Sequence, residues 1–397
     1  MKLKLITGTI VLSSVTLFAQ HRSITFEHTS FKEIKAKALK ENKLIFIDAY
    51  TSWCGPCKRM AREVFTNDTV ADYYNKNFVN AKIDMEKGEG VDIAKQYDVR
   101  CYPNLLFVDG NGNIVHRVAG GMSPKEFIAL GEETKTPEKC FSYYTKNYEA
   151  NKQNSDFIAN YIAARENTCL ESENFINDYF ALQARKDLIS KKNWNMIKNY
   201  VNSTESKEFE YLVTNRAQFE KAFEPNEVND KIEQVYNNSL FQIIKTEPFD
   251  KDKYANLKEK ITSLELKNAN RILFEADLFL AEKTGDWNTY AKQAISQADL
   301  FYMKDAGQLN SLAWNFYEKV TDKNDLLKAE SWAKTACDMD NSYANLDTYA
   351  AVLYKLEKKQ QATEIANKAI AKAKEDKMSA SDYQGTTDLL KKIKELK

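Results

Sequence analysis

Glycine is spread so unevenly along this 397-residue chain that it divides the molecule before any motif is considered: nine of the 12 glycines lie in the first 131 residues. Glycine serves tight turns and close backbone approaches. A turn-rich mixture of strands and helices is therefore expected at the front, and a helical architecture behind. Histidine is skewed the same way. His21, His28 and His116 are the whole complement, which excludes imidazole catalysis and histidine-ligated metal sites from the last two-thirds. Charge adds a negative expectation: 57 Lys and Arg balance 57 Asp and Glu, so nothing favours nucleic acid or a strongly acidic partner.

Residues 1–19 read as a secretory signal. Lys2 and Lys4 form its charged start, and Leu5 to Phe18 is apolar or small and uncharged. That run falls short of the roughly 20 apolar residues of a membrane span. Ala19 suits the last position before cleavage, and no cysteine follows to carry a lipid anchor. The expectation is a periplasmic or otherwise exported protein in an oxidising compartment, which permits disulfides among Cys54, Cys57, Cys101, Cys140, Cys169 and Cys337.

Residues 20–135 alternate helix and strand signals in the order α-β-α-β-α-β-β-α. Ser30-Phe31-Lys32-Glu33 is a capping box opening a helix with Phe31, Ile34 and Ala38 on one face. Leu44 to Ile47, ending in Asp48, reads as a strand buried on both sides. A helix is expected from about Cys54 through Val64 and Phe65, and a second buried strand from Phe78 to Met85. Leu105–Val108 and Ile114–Val118 flank Asp109-Gly110-Asn111-Gly112-Asn113 as a hairpin, and Ser123-Pro124 opens a closing helix.

The chemistry is concentrated in Trp53-Cys54-Gly55-Pro56-Cys57-Lys58. Two cysteines separated by two residues at a helix start close into a disulfide with little backbone movement. Backbone N–H groups at that end stabilise a Cys54 thiolate, the attacking nucleophile. Cys57, one turn on, is placed to resolve the mixed disulfide. A metal would need a second ligand pair, and no other C-x-x-C exists, so neither metal nor cofactor is expected.

Over roughly residues 25–135 the chain resembles the thioredoxin superfamily, most closely its exported bacterial members. The resemblance implies an α/β thioredoxin fold, a central mixed sheet flanked by helices. It also implies roles for residues around the motif. Asp48, six residues before Cys54, matches the buried acid that exchanges a proton with the second cysteine through a water. Lys82 matches the lysine that tempers that acid. Pro103 matches the cis-proline whose preceding residue, Tyr102, pairs with an extended substrate peptide. Gly120-Gly121 matches the stretch that lets substrate approach. Trp53, Gly55 and Pro56 complete the substrate-contacting surface. Asn104 departs from the usual threonine after the proline. Cys101 stands where many members have glycine; a third redox thiol or an intermolecular crosslinking site is one reading, and a small, partly buried side chain is the favoured one.

Residues 136–397 carry helical spacing and no punctuated strand runs. Ala329, Ala333 and Ala336 recur 33 positions on as Ala362, Ala366 and Ala369, and Leu346, Tyr349, Ala350 and Leu353 fall at packing positions, so about 270–375 is similar to tetratricopeptide repeats. An irregular helical bundle is the alternative. Cys140 and Cys169 are candidates for a bridge between two helices, and Cys337 for a buried thiol. Taken together, the expectation is an exported thiol-disulfide oxidoreductase that reduces or isomerises protein disulfides. A membrane thiol-transfer system would recharge it, and the helical part would select partners or bind a peptide. The rival is a helical-repeat scaffold with an accessory redox domain.

Overall fold

The computed structural model describes residues 22–396, so the segment expected to be a secretory signal, residues 1–19, lies outside the described residues. The chain divides into two units that meet between Leu188 and Ile189.

The first unit is built on a five-stranded sheet: β1 (Phe26–Glu27), β2 (Leu44–Tyr50), β3 (Phe78–Asp84), β4 (Asn104–Val108) and β5 (Ile114–Ala119), in the order β1-β3-β2-β4-β5. The first three run parallel, and β4 is antiparallel to both of its neighbours, β2 and β5. Helices α1 (Phe31–Glu41), α2 (Gly55–Arg59), α3 (Asp68–Asn77) and α4 (Gly90–Gln96) connect the strands, and α5 (Pro124–Glu133) follows the last of them. Ser30 and Glu33 cap α1 reciprocally, as Ser123 and Glu126 cap α5 behind Pro124.

Successive residues of β2 serve opposite faces. Ile45, Ile47 and Ala49 pack with Phe31, Ile34 and Ala38 of α1 and Ile93 of α4. Phe46 packs the other way, with Met60, Val64, Phe65, Tyr74 and Phe127. This two-sided burial explains why the strand is a continuous apolar run. It also places Asp48 on the Phe46 face, the side that carries the helix begun by the C-x-x-C motif. That helix continues past α2 as a π-helical turn, Met60–Val64.

Two elements add to the expected order. The short β1 pairs Phe26 and Glu27 with Asn80 and Ala81. Helix α3 starts at Asn67, whose side chain accepts the Thr69 and Val70 N–H groups, and it buries Val70, Ala71 and Tyr74. Tyr74 lies flat on Phe127 at 4.0 Å between centroids, and its hydroxyl donates to the Phe127 carbonyl. Gly131 lets α3 lie close to α5, because a Cβ there would stand 2.6 Å from Tyr73 and 3.3 Å from the Tyr74 hydroxyl.

The same unit continues through α6 (Phe141–Asn147), α7 (Ser155–Glu166) and α8 (Glu173–Ala181). His116 Nδ1 accepts the Phe141 N–H at 3.1 Å, and the buried Arg117 donates to the Tyr97 carbonyl at 2.7 Å. In the second unit the described residues form helices and turns only, from Lys191 to Glu395. Helix Ala306–Lys319 packs on Lys323–Met339, and Tyr343–Lys355 on Lys359–Glu375. Ala329, Ala333, Ala336, Ala362, Ala366 and Ala369 are all fully buried there. No helix among the described residues is long and apolar enough to cross a membrane.

Candidate functional site

Cys54 and Cys57 are joined by a disulfide. Cys54 is the N-cap of α2, and its sulfur accepts the Cys57 N–H at 3.1 Å. An N–H aimed at a sulfur favours its anionic form. Burial does not separate the two cysteines, which are 3% and 2% exposed in this oxidised state. The helix cap is what distinguishes them.

Asp48 and Lys82 face each other in register across β2 and β3 and form an ion pair. Asp48 is fully buried, and burial pushes its carboxyl up from the usual range against the pull of Lys82. One carboxylate oxygen, Oδ1, has no protein hydrogen-bond partner. Lys82 also lies 4.2 Å from the centre of the Tyr50 ring. A buried carboxyl held toward its neutral form is a candidate to give or take a proton.

Trp53, directly before the disulfide, is 65% exposed. Its indole N–H donates to Glu86 at 2.9 Å, and Tyr102 meets it edge-on at 6.0 Å. The Tyr102–Pro103 bond is cis. The Gly120 N–H donates to the Pro103 carbonyl at 2.8 Å from a backbone φ of +99°, a conformation that requires glycine. A Cβ on Gly121 would stand 3.7 Å from Pro56, an ordinary contact, so close approach does not demand glycine there. Trp53 and Tyr102 thus share one ring contact, Pro103 and Gly120 one hydrogen bond, and Asp48 and Lys82 one ion pair.

The remaining cysteines correct the sequence reading. Cys169 is bonded to Cys101, not to Cys140. Cys140 is a free, buried thiol turned toward the carbonyls of Glu133, Thr134 and Thr136 at the end of α5. Cys101 is therefore half of a disulfide and not simply a small, partly buried side chain. The pairing depends on which turns meet in space, and spacing along the chain carries no signal of that. Cys337 is free and half-buried, its thiol pushed up to about 12 by burial.

A disulfide closed across two intervening residues at a helix start, opened by attack on a capped sulfur and closed again by its neighbour, performs thiol-disulfide exchange. Fold and site together define a thiol-disulfide oxidoreductase. A family model described as a thioredoxin-like domain matches residues 31–135. The chain is 33% identical over 104 residues to a thioredoxin of Chlorobaculum thiosulfatiphilum, spanning 26% of this chain and 89% of that one. It is 24% identical to a protein disulfide-isomerase of Ricinus communis over 33% of this chain, which is only a quarter of that protein's length. A candidate disulphide-isomerase of Bacteroides thetaiotaomicron, solved in solution, shares 45% identity over 30% of this chain and 98% of its own, with a TM-score of 0.28. With a thioredoxin matched over nearly its whole length, the chain belongs to the thioredoxin family.

The acid effect of Asp48 on stability has a definite sign. Its folded carboxyl holds a proton to higher pH than the unfolded one, which ionises near ~3.9. That contribution favours the fold at low pH and is lost as pH rises through the raised folded value. Asp48→Asn stays neutral throughout. The variant's sheet-bearing unit is expected to melt higher than the parent's at pH 8, with the gap closing toward pH 4. Thermal melts at both pH values decide it, and an equal gap at both would refute burial of the charge as the cause.

Proposed function

We propose that the Cys54–Cys57 pair reduces or isomerises disulfides of protein substrates outside the cytoplasm. The observation that carries this reading is the exposed Trp53 ledge beside two nearly buried sulfurs. A small disulfide gains nothing from such a ledge, whereas a polypeptide can seat on Trp53 and Tyr102 and pair its backbone with Tyr102 as an added strand. In this reading Cys54 attacks and Cys57 resolves. Asp48 exchanges a proton with Cys57 through a water, and Lys82 tempers the Asp48 charge. Trp53, Gly55, Pro56, Tyr102, Pro103 and Gly120 shape the substrate surface.

The Gly55-Pro56 dipeptide is the one thioredoxins carry, which supports the reducing direction. An exported reductase needs recharging, and a membrane thiol-transfer system is the reductant we assign. Residues 20–135 would form the redox domain and 136–397 the helical domain, tetratricopeptide-like over about 270–375. The buried alanine faces of the helix pairs support that likeness. Partner selection by the helices is supported by a groove of about 1120 Å³ lined by Asn202, Asn238, Gln242 and Asn256, whose amides can bond an extended peptide backbone.

Cys57→Ser leaves Cys54 able to attack and removes the resolving thiol, so it is expected to accumulate mixed disulfides through Cys54. These are read by non-reducing gels and mass spectrometry of cell-envelope fractions. Recovery of no adducts would count against the enzyme reading. A Cys54–Cys57 potential near ~−120 mV, the range of dedicated oxidases, would reverse the direction of electron flow.

A further inference from the structure

The second disulfide ties a remote turn to the loop beside the dithiol. Cys101 directly precedes Tyr102 and Pro103, and Cys169 sits in the turn between α7 and α8 with a φ of +57°. Two further contacts fasten the same turn. The Asn167 carbonyl accepts the Ala119 N–H at 2.7 Å, and Glu171 forms an ion pair with Arg100. Ala119 adjoins Gly120, which is bonded to Pro103. The turn therefore grips both chain segments that border the Trp53–Tyr102 ledge. Cys169 is exposed and Cys101 half-buried, so the bridge is open to attack from solvent at one sulfur. Exposed disulfides are the labile ones.

We propose that Cys101–Cys169 is a second redox-active pair, opened by a dithiol protein at Cys169, whose closed form fixes the 167–171 turn as a wall of the substrate ledge. A thiolate of the dithiol attacks Cys169 Sγ. A new S–S bond forms, the bond to Cys101 breaks, and the electron pair leaves on Cys101, which takes up a proton. The second thiolate of the dithiol then attacks its own partner sulfur in the mixed disulfide and releases Cys169, which is protonated in turn. Two electrons pass to the bridge and the dithiol leaves as a disulfide. Once open, the turn keeps only one hydrogen bond and one exposed ion pair to the ledge, contacts that are individually weak. The wall half of this inference rests on substrate pairing at Tyr102.

The full-length double variant Cys54→Ser/Cys57→Ser isolates the bridge from the first site. Treated with dithiothreitol without denaturant, it is expected to expose Cys101 and Cys169 to alkylation. Excess glutathione should leave its adduct on Cys169. Amide exchange across 167–171 should rise about tenfold or more while β2 and β4 stay unchanged. A bridge that opens only in denaturant, an adduct on Cys101, or unchanged exchange would each overturn the proposal. With the first site intact, Cys101→Ser/Cys169→Ser is expected to shift KM for insulin by about threefold or more, leaving turnover of a small aromatic disulfide unaltered. An equal change on both substrates overturns the wall. Failure of the reductase reading itself would look different, with neither substrate reduced by the parent protein.

Discussion

Cys54→Ser is expected to lower disulfide-reductase turnover by at least about 10³-fold, to the background of the dithiol in the assay. The serine hydroxyl can occupy the same place, because Cys54 is the N-cap of α2 and serine is among the best N-caps. Folding should therefore survive, and the loss should report on chemistry alone. A hydroxyl that accepts the Cys57 N–H is not ionised at neutral pH and cannot form the mixed disulfide. Insulin reduction followed by turbidity measures the loss, and circular dichroism checks the fold. Turnover within tenfold of the parent would mean that Cys54 is not the nucleophile.

The largest effect on stability is expected from Phe46→Ala, which should destabilise the sheet-bearing unit by about 3–5 kcal/mol. Phe46 is fully buried at the middle of β2. Its ring meets Tyr74 at 5.1 Å, Phe127 at 5.2 Å, Phe107 at 5.4 Å and Phe65 at 6.2 Å. These neighbours come from α3, α5, β4 and the end of the π-helical turn, so no single element can move in to fill the space. Such a cavity keeps its full cost. Leu300→Ala is the comparison, because Leu300 is 77% exposed and its loss should change stability by no more than about 0.5 kcal/mol. Urea unfolding of both variants measures the difference. A Phe46→Ala loss below about 1 kcal/mol would show that the aromatic cluster relaxes around the gap.

How far the sequence could be read follows from the range of the interactions involved. The capping boxes at Ser30 and Ser123 and the apolar run of β2 are local signals, and the structure contains each of those elements. The strand from Phe78 and the hairpin around Gly110 and Gly112 are local in the same sense. Helix α3 escaped because its start rests on a single Asn67 cap and its apolar face on three residues, Val70, Ala71 and Tyr74. Its stability comes from Tyr74 against Phe127, a contact between residues 53 positions apart. The two-residue β1 has no pattern of its own and exists because β3 offers it an edge.

The uneven glycines and the C-G-P-C run were enough to place the chemistry near the front of the chain and to separate a strand-bearing part from a helical one. Those features depend on backbone freedom and on neighbours within one helical turn. The in-register pairing of Asp48 with Lys82, the contact of Trp53 with Tyr102, and the choice of Cys101 rather than Cys140 as the partner of Cys169 belong to the folded chain. Each is set by which surfaces meet after the sheet and its helices close. Residues 68 positions apart in sequence carry no mark of that meeting until the core has packed.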